Sequence, residues 1–269
     1  MQLITDNCVC KCSFSEKREQ FMESVMRPAP FAAIAFVFPD MEEFGILPPV
    51  KWFDRIAENT SSICLWDQAG FVPPDLIPQT QIRLAYPTPV RLNGKSNAVT
   101  LLPQLSVPWM SEDCNEEDCY EFLSHLARSL KPYSQVWVTI KASDIYSKQG
   151  LLHATDAACV LVPASQEGIL PSYEAIKSIT LSGYFAPLGI LQYASSEADL
   201  QEDYADRIKK VAKRFLTLDL VEAGVIFSSG GYEQPEKKDG SLGKRILELN
   251  ARERDFLYCL FESVLYREK

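Results

Sequence analysis

Short, unbroken apolar runs recur along this chain, each bounded by polar or turn-forming residues. The clearest occupy residues 31–38, 62–66, 98–102, 135–140, 157–162, 188–191 and 224–227. Their brevity and their content of β-branched and aromatic residues predict strands, and the lack of polar alternation predicts strands covered on both faces, as in a parallel sheet. Between the runs lie segments with helical spacing. Tyr120, Leu123, Leu126, Ala127 and Leu130 line one face, Leu200, Tyr204, Ile208, Val211 and Phe215 a second, and Tyr173, Ile176 and Ile179 a shorter third. Alternating strand and helix implies right-handed crossovers, and so an α/β fold: a doubly wound, mostly parallel sheet with helices on both faces. The proline-bearing stretch 72–80 reads as a surface loop, because apolar segments resume directly after it.

Composition narrows the picture. A chain of 269 residues that is 46% hydrophobic can bury one substantial core, so a single domain is expected over 1–269, with an N-terminal extension over about 1–30. The net charge of -9 without a long basic run argues against nucleic acid as a partner. The N-terminus lacks the basic-then-apolar pattern of an export signal and no run is long enough to cross a bilayer, so a cytoplasmic protein is expected. In that compartment the eight cysteines read as reduced thiols.

The second half carries a family resemblance. Residues 151–177, in which Asp156 and Val160-Leu161-Val162 lead through a short loop to Tyr173-Glu174-Ala175-Ile176-Lys177, resemble the MinD/ParA ATPases, where an "AD…VLV" strand precedes a "tdAyr.ik" helix. Residues 187–193 resemble that family's next strand and 211–227 its late helix and strand, with a weaker echo over 31–70. The pattern is closest to the MinD-like branch that includes flagellar-number regulators. The resemblance implies a P-loop NTPase-like fold, protein partners and ATP chemistry.

The residues that would perform that chemistry depart from the family pattern. Its first strand runs into a KGGxGKT loop whose backbone N–H groups and lysines cradle phosphates. Here the run 31–38 is followed by Pro39-Asp40-Met41-Glu42-Glu43-Phe44-Gly45, with one glycine and three carboxylates that would repel a polyphosphate. A later strand in the family ends in an aspartate that helps to hold magnesium. Thr139 falls at that place, a poor ligand for a hard cation, and Lys141 falls where proline is usual. Gln192 stands for an adenine-reading asparagine, a mild change. Asp67, after the run 62–66, matches an aspartate that activates or positions water, though capping of the next turn is the better explanation.

Other candidates are weaker. Cys8, Cys10 and Cys12 alternate so that three thiols could converge, but no fourth ligand is evident and Cys114 and Cys119 are remote in sequence, so no metal is expected. His125 falls in a predicted helix and His153 in a predicted turn, neither with catalytic neighbours at a recognisable spacing. The segment 249–269 reads as an amphipathic helix whose apolar side, including Phe256, Leu260, Phe261 and Val264, packs on the sheet, meets a protein or, as in MinD, meets a membrane. Its polar side mixes acids with bases, so membrane contact is not expected.

The sequence therefore predicts a pseudo-ATPase of MinD/ParA type with no catalytic residues and no cofactor. It would act on an envelope, flagellar, pilus or secretion machine by binding proteins, among them an active MinD/ParA paralogue or a second copy of itself. The alternatives are a nucleotide switch with a divergent phosphate loop charged by Lys51, and an unrelated α/β enzyme, for which no motif is found.

Overall fold

A computed structural model describes residues 31–41, 53, 62–71, 89–91, 99–102, 116–201, 203–227 and 232–233. The strands are β1 (Ala32–Phe38), β2 (Ile63–Asp67), β3 (Val90–Arg91), β4 (Val99–Leu102), β5 (Gln135–Lys141), β6 (Ala157–Pro163), β7 (Leu188–Ala194), β8 (Val221–Phe227) and β9 (Tyr232–Glu233). The helices are α1 (Glu116–Leu130), α2 (Gln149–Ala154), α3 (Ile169–Leu181) and α4 (Tyr204–Leu216). All seven strands expected from the apolar runs are present. The two-residue strands β3 and β9 carry too little pattern to be read in advance.

The strand order is β3-β4-β2-β5-β1-β6-β7-β8-β9, and β4 through β8 are parallel, with β3 and β9 antiparallel at the two edges. Every residue of β1, β2, β6 and β7 is buried, as strands covered on both faces must be. One irregularity lies in β8, where Ile190 pairs with Glu222 but Leu191 with Gly224, which leaves Ala223 as the extra residue of a bulge. Gly224 accommodates the bend at φ 130°, a value that disfavours a side chain.

Direction explains which helices lie where. The connections β4 to β5, β5 to β6, β6 to β7 and β7 to β8 all step the same way across the sheet, so right-handed crossovers must place their helices on one face. That is where α1 to α4 pack. Leu123, Leu126 and Leu130, Leu151 and Leu152, Ala175, Ile176 and Ile179, and Ile208 and Ala212 meet Ala33, Ala35, Val37, Val136, Val138, Val160 and Ile190. The steps from β1 to β2 and from β2 to β4 run the other way, and Phe53, a helical residue, packs on the opposite face. There Phe36 meets Phe53 at 5.0 Å and Trp137 at 5.3 Å between ring centroids, tilted or edge-on as aromatic quadrupoles prefer.

Two helical faces differ from expectation. In α4 the buried side is Tyr204, Ala205, Ile208 and Ala212, and Phe215 stands 65% exposed. In α3 the buried side is Ser172, Ala175, Ile176 and Ile179, with Tyr173 at its margin. His153 belongs to the last turn of α2 rather than to a turn. The segments 1–30, 72–80 and 249–269 lie outside the described residues.

Candidate functional site

The strand order steps one way across the sheet after β1 and β2 and the other way after β5, β6 and β7. In doubly wound sheets this divergence opens the crevice where ligands bind. Four buried polar residues of the described core, Asp67, Gln68, Thr139 and Lys148, gather beside it. Asp67 ends β2 and lies opposite Thr139 of β5 in the parallel register. Thr139 Oγ1 donates to Asp67 Oδ1 at 2.8 Å and accepts from the Ala69 N–H at 3.1 Å. Both side chains are buried.

Two positions that sequence treats as separate family motifs thus form one unit. Thr139 has both roles of its hydroxyl engaged, one toward a carboxylate and one toward backbone. Asp67 is a partner of β5 as well as the last residue of its own strand.

A second tie runs alongside. Past β5, a 3-10 turn over Ala142–Asp144 leads into α2, whose N-cap is Lys148. The Lys148 ammonium donates to the Gln68 carbonyl at 2.5 Å and to Asp144 Oδ2 at 2.8 Å, and only 7% of the side chain is exposed. A lysine is rarely buried unless paired, and this one joins the segment after β2 to the segment after β5. Sequence reading missed Lys148 and Asp144. Their acid-then-base spacing of four, directly behind a strand, was the available signal.

The remaining predicted positions do not join this cluster. Lys141 ends β5 exposed, its ammonium 5.9 Å from the Phe71 ring, which in turn packs on Phe38. Asp40, just beyond β1, is exposed, and Gln192 is buried within β7. Glu42, Glu43, Gly45, Lys51, Cys8, Cys10, Cys12, Cys114, Phe256, Leu260, Phe261 and Val264 lie outside the described residues. Among the described residues no three His, Cys, Asp or Glu side chains gather as metal ligands. No described helix is long and apolar enough to cross a membrane.

The histidines and thiols have structural surroundings. His153 Nε2 lies 3.3 Å from Ser182 Oγ, which itself donates to the Ile179 carbonyl, so the imidazole is the donor between them. Burial lowers the His153 pKa, partly opposed by its contact with Ser182. Cys64 of β2 faces the α1 to α4 side of the sheet and Cys159 of β6 the other. Burial pushes the Cys159 thiol up to about 12 and raises that of Cys64 further. At the far end of the sheet, Asp156 Oδ2 accepts from the Ala33 N–H at 2.8 Å and the Asp156 N–H donates to the Ala33 carbonyl, stitching β6 to β1.

No protein-family model matches this chain, and no curated protein matches it in sequence. Solved structures of MinD/ParA ATPases are its structural neighbours. It is similar to a chain of the MinC:MinD cell division protein complex of Aquifex aeolicus at 11% identity and a TM-score of 0.48, over 87% of this chain and 96% of that one. It is similar also to a ParA family ATPase of Chlorobium tepidum TLS, at 13% identity and a TM-score of 0.46, over 87% of this chain and 99% of that one. The MinD of Pyrococcus furiosus gives 11% identity and a TM-score of 0.43 over 88% and 99%.

Proposed function

We propose that this protein is a non-catalytic relative of the MinD/ParA ATPases that works by binding other proteins, as a regulator or scaffold of a cell-envelope, flagellar, pilus or secretion machine. The observation that carries the reading is the pairing of Thr139 with Asp67. At the carboxyl end of β5, where a magnesium-holding carboxylate is expected, a buried hydroxyl is committed to Asp67 and to the Ala69 N–H. Ligation of a hard cation there would require breaking both bonds, and a neutral hydroxyl returns little for them. The acidic residues that follow β1 in sequence, Asp40, Glu42 and Glu43, point the same way, because they would add negative charge beside a polyphosphate.

Lys148 supports the same reading. It holds the segments after β2 and β5 together, and its ammonium is engaged by the Gln68 carbonyl and Asp144 rather than left facing a crevice. Titration calorimetry of the whole protein with ATP and magnesium should give no heat of binding, and no phosphate should be released. Magnesium-dependent binding in the micromolar range would refute the proposal. If that binding vanished in Lys51→Ala, a switch with a divergent phosphate loop would take its place.

A further inference from the structure

The chain as a whole is strongly acidic, at -9, yet α4 carries Arg207, Lys209, Lys210, Lys213 and Arg214 against the single carboxylate of Asp206. Part of this charge is used locally. Lys209 pairs with Asp206 and, at 3.1 Å, with Glu222 of β8, and Lys213 pairs with Asp219. Burial works against the Lys209 ammonium, but these carboxylates outweigh it and hold its pKa above the ordinary value. Arg214 in the last turn also suits the negative end of the helix dipole. Lys210, a turn further back, is exposed and acts on Asp206 only through space, without a contact ion pair among the described residues, and Lys177 on α3 is likewise exposed.

Apolar side chains stand beside these cations. α3 and α4 both run back from the carboxyl edge of the sheet, so they are parallel neighbours and their C-terminal ends lie at the same edge. Leu181 at the end of α3 is 65% exposed, Phe215 at the end of α4 is 65% exposed, and Phe185 in the segment between α3 and β7 is 95% exposed. Single exposed apolar residues are ordinary on a protein surface. Three large ones at one edge, two of them phenylalanines, mark a contact surface. Arg214 lies over the Phe215 ring at 5.4 Å, so cation and apolar surface meet directly.

We propose that the C-terminal ends of α3 and α4 form a docking surface for an acidic, apolar-bearing segment of a partner protein, with Leu181, Phe185 and Phe215 taking its apolar side chains and Lys177, Lys210 and Arg214 its carboxylates. Charge complementarity selects this occupant. A phosphate backbone or an anionic bilayer presents a continuous negative surface, which would also press on the exposed carboxylate of Asp219 and the half-buried ones of Glu222 and Asp206 on the same helix and strand. A peptide can place its few carboxylates against the three cations and keep clear of those acids. Within about 8 Å at physiological salt such local pairs outlast the screening that mutes the net charge.

This surface rests on the protein-binding half of the function proposed above and is independent of nucleotide. The test uses fluorescence anisotropy of the full chain with four probes: a labelled amphipathic peptide of Glu, Ala and Leu, its counterpart with Lys for Glu, a single-stranded oligothymidine, and phosphatidylcholine vesicles containing phosphatidylserine. The acidic peptide should bind, with salt-sensitive affinity, and the other three should not. Binding should weaken at least about tenfold, or 1.4 kcal/mol, in the Lys210→Glu, Arg214→Glu double variant and in Phe215→Ser. Phe215→Ser should keep the melting temperature because the ring is exposed, and the charge reversal should lower it by only a few degrees, the cost of acids at the negative end of α4. Equal binding by the variants, no binding of the acidic peptide, or preferential binding of oligothymidine or vesicles would overturn the surface. None of those results touches the nucleotide reading, and magnesium-dependent ATP binding would sink that reading while leaving this surface intact.

Discussion

Replacing Thr139 by valine tests the pairing at the carboxyl edge of the sheet. The side chain is fully buried and valine has nearly its shape, so packing barely changes and the loss is that of the hydroxyl. Asp67 then loses a hydrogen bond to a charged acceptor, about 1.5–3 kcal/mol, and the buried Ala69 N–H loses its acceptor, about 1–3 kcal/mol. Valine recovers a part by burying a methyl in place of a hydroxyl. The net cost should be roughly 2–4 kcal/mol, which for a chain of this size lowers Tm by roughly 5–15 °C. Thr139→Ser keeps both bonds and loses only a methyl group, so it should cost about 1 kcal/mol. Urea unfolding of the three proteins, followed by tryptophan fluorescence, measures the differences directly. If valine proves no more destabilising than serine, the hydroxyl is not holding Asp67 and the closed-site reasoning fails.

Two further outcomes follow from local geometry. A methyl group on Gly168 would lie 2.8 Å from Pro163 Cβ and 2.9 Å from its carbonyl oxygen, so Gly168→Ala should cost about 1–3 kcal/mol by crowding, whereas Glu167→Ala next to it should be silent in the same thermal melt. Because burial holds the His153 pKa below its ordinary 6.5, the unfolded chain takes up a proton there before the native state does. The stabilisation is therefore complete above 6.5 and is lost as pH falls through the window beneath it. Urea midpoints should drop on acidification from about pH 8 to about pH 5, and the drop should be shallower in His153→Gln.

The fold was legible where burial is two-sided. Runs such as 31–38 and 157–162 must be strands of a covered sheet whatever their neighbours do, and their spacing left room for one crossover each. Amphipathic faces were less secure, since Val211 and Phe215 continue the apolar period of α4 while the helix turns Ala205 and Ala212 inward. The short helix α2 escaped notice because six residues hold too few repeats to show a period. Of the site, Asp67 and Thr139 were recognisable singly, but their contact depends on β2 and β5 being neighbours although β3, β4 and α1 separate them in the chain. The spacing of four from Asp144 hinted at Lys148, but its tie across the sheet was hidden for the same reason, because the carbonyl it binds belongs to Gln68, 80 positions earlier.

The two buried cysteines turn the sheet into its own reporter. Only a thiolate reacts readily with alkylating reagents, and neither Cys64 nor Cys159 forms one at neutral pH while the strands stay shut. With the other six cysteines changed to serine, each thiol would be modified only when its strand opens. Because Cys64 sits under the helical layer and Cys159 under the opposite cover, the two labelling rates separate the peeling of one layer from the other. Equal rates mean that the molecule comes apart as a single piece, and unequal rates name the side that lets go first.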